Sequence, residues 1–159
     1  MKRITPFLWF DHQAEEAARF YCGIFPDSRI TEISRRGETD PETPAPVLSV
    51  QFRLDGQDFI ALNGGPLFEF SQAISFSVHC DTQEEIDAYW EQLGRGGEHQ
   101  RCGWLRDRYG LSWQIVPAVL GELLQDPDPG RSRRATEAML AMDRLDIQAL
   151  QRAASGSAQ

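Results

Sequence analysis

Residues 7–21 read FLWFDHQAEEAARFY, and residues 76–90 read FSVHCDTQEEIDAYW. Set one over the other, Phe7 meets Phe76, Trp9 meets Val78, Glu15-Glu16 meets Glu84-Glu85, and Phe20-Tyr21 meets Tyr89-Trp90. Each copy runs from an apolar strand through an Asx-containing turn into a helix that opens on paired carboxylates and closes on paired aromatics. Two such units in one small chain imply a pseudo-symmetric fold, because neither buries its own apolar face alone.

Working outward, the helix of the first unit covers Ala14 to Ile24, with Ala17, Phe20, Tyr21 and Ile24 forming one apolar stripe. Glu15 and Glu16 stand in its first turn, where the helix dipole favours anions, and Pro26 stops it. A short strand follows over Ser28–Ser34. The stretch Gly37 to Pro46, rich in proline and acid, reads as a mobile loop. Leu48 to Leu54 alternates, with Ser49, Gln51 and Arg53 on its polar face; Asp55-Gly56 is a two-residue hairpin signal, and Gln57 to Leu62 returns.

The second unit repeats the plan. A strand spans Ile74–Cys80, a helix Gln83–Leu93, and a hairpin pairs Glu98–Leu105 with Leu111–Val116. Each unit is therefore βαβββ, and the fold class is α+β. The expectation is two modules forming a curled, mostly antiparallel eight-stranded sheet with a cleft, plus C-terminal helices. The domain boundaries follow: 1–117 for the paired domain, with modules at about 1–66 and 72–117, then a helical extension over 118–153 that packs on the domain or a dimer partner. Residues 154–159 are expected to be a disordered tail.

Composition narrows the function classes. The chain has 159 residues, 41% hydrophobic and 25% charged, which is ordinary for a globular domain. Its net charge of −8 argues against nucleic acid and against an anionic membrane surface. Three well-separated cysteines, Cys22, Cys80 and Cys102, make no disulfide framework and point to a reducing cytoplasm. The apolar run Ile4–Phe10 is too short for a signal peptide, contains Pro6, ends at Asp11, and lacks a small-residue cleavage site; it reads as the first strand.

The runs ITPFLWFD (4–11), ALNGGP (61–66), AISF (73–76), CGWL (102–105) and SWQIVP (112–117), with Phe20-Tyr21, Phe25-Pro26 and the tail segment AMLAM (138–142), carry a family resemblance. The chain resembles the vicinal oxygen chelate superfamily, which includes glyoxalase I, extradiol dioxygenases and bleomycin-binding proteins. Within it the chain looks like the PhnB-like branch, labelled "3-demethylubiquinone-9 3-methyltransferase domain". The resemblance implies a homodimer with a small-molecule ligand in a cup. In metal-dependent relatives, His and Glu from the first and last strands of the modules hold a divalent ion. Here those regions supply Ile4, Thr5 and Pro6, then Ala73, Ile74 and Ser75, then Ile60–Asn63, and Gln114 where glutamate is expected. None is a good metal ligand. His12, His79 and His99 form no pair at metal-ligand spacing. No metal site and no cofactor are therefore expected, a divalent metal remaining open only without the standard ligands.

The methyltransferase label implies adenosylmethionine, whose common binding fold needs a glycine-rich turn between a parallel strand and a helix. Gly94, Gly96 and Gly97 follow a helix instead. The ligand-binding candidates are Trp9, Gln51, Asn63, Cys102, Trp104 and Gln114: amides to hydrogen-bond a ligand, indoles to wall it, and a thiol. Cys102 lies between Arg101 and Gly103, but has no Cys-X-X-Cys partner and no evident histidine, so a nucleophile and a buried inert thiol both fit it. The leading expectation is a metal-independent small-molecule-binding protein. The alternative is a lyase, isomerase or dioxygenase-type enzyme of the same superfamily with an atypical metal or a metal-free site.

Overall fold

The structure, a computed structural model, describes residues 3–37 and 43–156. It divides into two compact units, Met1–Phe70 and Ser71–Gln159. Unit 1 contains β1 (Phe7–Phe10), α1 (Ala14–Cys22), β2 (Arg29–Arg35), β3 (Val47–Leu54) and β4 (Gln57–Asn63). Its four strands form one mixed sheet in the order β1-β4-β3-β2, with β1 parallel to β4 and the other pairs antiparallel. Asp55 and Gly56 both take positive φ, +43° and +77°, as the two-residue turn between β3 and β4 requires.

Alternation decides which face is buried. Val50, Phe52 and Leu54 of β3 and Phe59 and Ala61 of β4 are buried on the side of α1, whose Ala17, Ala18 and Tyr21 are fully enclosed. Tyr21 stacks on Phe52 at 6.3 Å between ring centroids, and Phe52 on Phe59 at 5.3 Å. Aromatic pairs of this kind add about 0.5–1.5 kcal/mol to the burial itself. Ser49, Gln51, Arg53, Ile60 and Leu62, half a pleat away, stay partly exposed on the other face.

Unit 2 contains β5 (Ser75–Cys80), α2 (Gln83–Gly94), β6 (Glu98–His99), β7 (Trp104–Arg106) and β8 (Ser112–Pro117). The strand order β5-β8-β7-β6, with β5 parallel to β8, reproduces the connectivity of unit 1. The internal repeat read from the sequence is thus a repeat of topology. Thr82 and Glu85 form a reciprocal capping box on α2, worth roughly 1 kcal/mol. Ile86, Trp90 and Leu93 are buried, as are Leu105, Trp113 and Ile115 of the sheet.

Three further helices, α3 (Leu120–Leu124), α4 (Pro129–Leu140) and α5 (Ile147–Ser155), complete unit 2. Val116, Leu145 and Leu150 form a buried cluster backed by Leu120, Leu123, Ala138, Met139 and Met142. The helical extension packs on its own sheet in this way. Gln83 fastens it further: its Nε2 donates to Leu145 O at 3.0 Å, and its Oε1 accepts from Ile147 N–H at 3.0 Å. Arg134 donates to Ala153 O and Ala154 O, closing the end of α5 onto α4.

Several expectations shift. The α1 helix ends at Cys22, not Ile24: Gly23 N–H still makes the regular bond to Arg19 O, but Ile24 N–H closes a tighter i→i−3 turn on Tyr21 O. The single strand expected over 98–105 is broken into β6 and β7 by a tight turn at Arg101–Trp104. Ala154 is buried and Ser155 helical, so the tail expected to be disordered from 154 begins inside α5; residues 157–159 lie outside the described residues. The expected mobile loop over 37–46 also falls partly outside them, at 38–42.

Candidate functional site

Asn63 is a structural bridge. Gln13 offers no side-chain cap to α1. Asn63 takes over: its Oδ1 accepts from Ala14 N–H at 2.8 Å, while its Nδ2 donates to Val47 O at 3.1 Å. Both ends of the amide are occupied within unit 1. Trp9 is similarly committed. Its Nε1 donates to Gly65 O at 2.9 Å, and its ring meets Phe68 edge-on at 5.0 Å. A Cβ at position 64 would collide with the indole, which is why Gly64 precedes Gly65 there.

Gln51 lies on the face of the unit 1 sheet opposite α1. Its Nε2 donates to Glu32 Oε2 at 3.0 Å, the two residues facing across β2 and β3. A depression of about 210 Å³ opens here, lined by Thr31, Gln51, Phe52, Arg53, Asp58 and Phe59. Arg53 grips Asp58 through two nitrogens at 2.7 Å, so the two charged groups of this depression neutralise each other.

In unit 2 the face opposite α2 carries Gln114, with Ser77 on β5 and Trp104 on β7 as its register neighbours. Gln114 Nε2 donates to Ser75 Oγ at 2.9 Å. Gln114, where the resemblance expects glutamate, is therefore joined by a neutral amide–hydroxyl bond to Ser75, one of the three residues in the region where it expects the other ligand. Two residues before Gln114, the Ser112 hydroxyl is completely buried and has no hydrogen-bond partner among the described residues. Among those residues no three His, Cys, Asp or Glu side chains come together to hold a metal. The donor set does not fit the His/Glu centre of the metal-dependent relatives.

Trp104 is half-buried beside a cavity of about 410 Å³ lined also by Gln72, Gln100 and Arg101. Trp113, by contrast, is core: it is buried and its Nε1 donates to Asp107 Oδ2 at 2.9 Å. Asp107, itself buried, also accepts from Tyr109 N–H and Leu111 N–H and so shapes the turn from β7 to β8.

Cys102 does not share a strand face with Trp104. It sits in the Arg101–Trp104 turn at φ +61°, next to Gly103 at +80°. Their N–H groups donate to Met142 O at 2.8 Å and Asp143 O at 2.7 Å, and Gly103 O accepts from Ile115 N–H. A Cβ at position 103 would press on Ile115 O, which makes glycine obligatory there. Cys80 is buried, and burial, with Glu85 and Asp81 nearby, pushes its thiol up to about 11. Burial also raises the Cys22 thiol, against the opposing pull of Arg19.

Of the six residues singled out from the sequence, Gln114, Trp104 and Cys102 belong to one region of unit 2, while Trp9 and Asn63 serve the fold of unit 1 and Gln51 stands apart on the unit 1 sheet. The sequence reading missed Gln72, Gln100 and Arg101 as lining residues. No motif marks Gln72 or Gln100, and Arg101 stood out only as the neighbour of Cys102.

Gly94 closes α2, and Gly96 and Gly97 follow it, presenting the carbonyl end of a helix. That is the wrong end for a phosphate or adenosylmethionine turn, so the glycines do not fit the cofactor implied by a methyltransferase label. No helix among the described residues is long and apolar enough to cross a membrane.

An α+β chain of two βαβββ units is the class of protein that the fold defines. A family model described as 3-demethylubiquinone-9 3-methyltransferase matches residues 2–116, and the chain belongs to this PhnB-like family of the vicinal oxygen chelate superfamily. It is 37% identical to a putative 3-demethylubiquinone-9 3-methyltransferase, the PhnB protein of Bacillus cereus, covering 74% of this chain and all of that one, with a TM-score of 0.66. The fold is shared with protein PA1353 of Pseudomonas aeruginosa, at 19% identity, 74% and 98% coverage and a TM-score of 0.61. It is also shared with the fosfomycin resistance protein FosX of Listeria monocytogenes, solved with Mn(II) and sulfate, at 16% identity, 78% and 95% coverage and a TM-score of 0.54. No protein of curated function matches the chain.

Proposed function

We propose that this chain is a small-molecule-binding member of the PhnB-like family that holds its ligand without the His/Glu metal centre of the metal-dependent relatives. The observation that carries this reading is the Gln114–Ser75 hydrogen bond. An uncharged amide and hydroxyl are weak ligands for a divalent ion but good partners for a polar organic group. The half-buried Trp104 beside them supplies the apolar surface that ligand sites use.

The protein works as a homodimer in a reducing, cytoplasmic setting. Three free cysteines support the setting. Exposed Ile4, Phe7, Leu67 and Phe68 in unit 1 support an additional protein surface covering them.

The deciding experiment is elemental analysis of purified protein after separate incubation with Zn²⁺, Ni²⁺, Mn²⁺ and Fe²⁺, followed by a thermal-shift screen of small organic molecules. The reading expects sub-stoichiometric metal and at least one compound that raises the melting temperature. Near-stoichiometric metal, lost on Gln114→Ala, would replace it with a metalloenzyme of the same superfamily.

A further inference from the structure

The depression beside Trp104 is open to solvent and has a volume of about 410 Å³. Its chemistry is uneven. Gln72 and Gln100 are tied to their neighbours by exposed bonds: Gln72 Nε2 donates to Gln100 Oε1 at 3.0 Å, and Gln100 Nε2 to Glu98 Oε1 at 3.4 Å. They form an uncharged rim. The Trp104 indole, which lines the same depression, has no hydrogen-bond or ring partner among the described residues.

Arg101 supplies the charge. Its side chain is 73% exposed, and its nearest carboxylate, Asp143, is 3.8 Å away and 67% exposed. An open pair of this kind is worth about 0–1 kcal/mol, so it yields readily to a better-placed anion. The neighbouring Arg106 makes a closer pair with Glu98, at 2.8 Å, and does not line this depression. One available guanidinium without a second cation suits a single negative charge, and its planar fork matches a carboxylate. A cationic aromatic ligand is disfavoured by the same arginine.

We infer that this cavity binds an aromatic monocarboxylate, its ring laid on Trp104 and its carboxylate on Arg101. The inference rests on the small-molecule-binding reading above and names the class of ligand.

The test titrates ¹⁵N-labelled full-length protein with 2-naphthoate, with neutral 2-naphthamide and with acetate, following the four tryptophan indole N–H signals. The expected result is saturable binding of 2-naphthoate that moves the Trp104 indole signal, with acetate inert. Arg101→Gln, a change to an exposed side chain, should weaken 2-naphthoate by about tenfold or more and leave 2-naphthamide unchanged. Trp104→Leu should weaken both aromatic compounds. Equal affinity of wild type and Arg101→Gln for 2-naphthoate, or shifts that bypass Trp104, would overturn the inference. If 2-naphthoate fails while another compound raises the melting temperature of wild type and Arg101→Gln alike, the aromatic-acid site falls and the binding function stands. If no compound raises it, both fall.

Discussion

Gln114 on β8 and Ser75 on β5 are bound to each other at 2.9 Å across parallel strands, so the amide is held in one orientation by a hydroxyl that accepts from it. Removing either partner is expected to cost about 1 kcal/mol in urea denaturation, and removing both scarcely more than one. A double-mutant cycle of Ser75→Ala and Gln114→Ala measures this coupling. Strict additivity of the two losses would mean that the bond contributes nothing.

Ser112 sits nearby with an opposite balance. A fully buried hydroxyl without a partner carries a desolvation cost of about 1–3 kcal/mol. Ser112→Ala removes that cost and little volume, so it is expected to raise stability by about 1 kcal/mol. Destabilisation on that change would reveal a buried water bridging the hydroxyl.

Asn63 joins the start of α1 to strand β3. Asn63→Ala strands the Ala14 N–H and the Val47 carbonyl together and is expected to cost about 2 kcal/mol. Asn63→Asp keeps the acceptor for Ala14 and should recover about half of that. Chemical denaturation of the pair gives the ratio.

Cys102 adopts a left-handed backbone conformation, which costs a non-glycine residue about 1–2 kcal/mol. Asparagine tolerates this region and a β-branched side chain does not. Cys102→Asn is therefore expected to fold with unchanged or slightly higher stability, and Cys102→Val to lose about 1–3 kcal/mol. Equal thermal stability of the two variants would contradict the strain.

Cys80 predicts an alkaline weakness. The unfolded chain releases this thiol proton around its ordinary value of 9.0, while the folded chain holds it to about 11, chiefly because of burial. Between those values the unfolded state binds fewer protons, so stability falls as pH rises, at up to about 1.4 kcal/mol per pH unit. Below that window the group contributes no pH dependence. Stability curves from pH 8 to 11 should show this decline, and Cys80→Ala should flatten it.

Much of the architecture was legible because it rests on periodicity. Val50, Phe52 and Leu54 alternate with Ser49, Gln51 and Arg53, and Asp55-Gly56 admits only a tight turn, so β3 and β4 were readable within a residue. The break at Arg101–Trp104 was not, because the carbonyls of Met142 and Asp143 that fix it lie far along the chain. At the site, Trp104 and Gln114 could be singled out by residue type and strand alternation, whereas Gln72, Gln100 and Arg101 are unremarkable in sequence until the turn brings them together.

That turn reaches beyond the sheet. The family match ends at residue 116, yet the backbone that presents Arg101 is moored to carbonyls at 142 and 143. A change in the length of α4 would shift those carbonyls and with them the turn that carries Arg101. The turn that carries Arg101 is thus set jointly by the second sheet and by the segment that follows α4, which lies outside the stretch the family model matches.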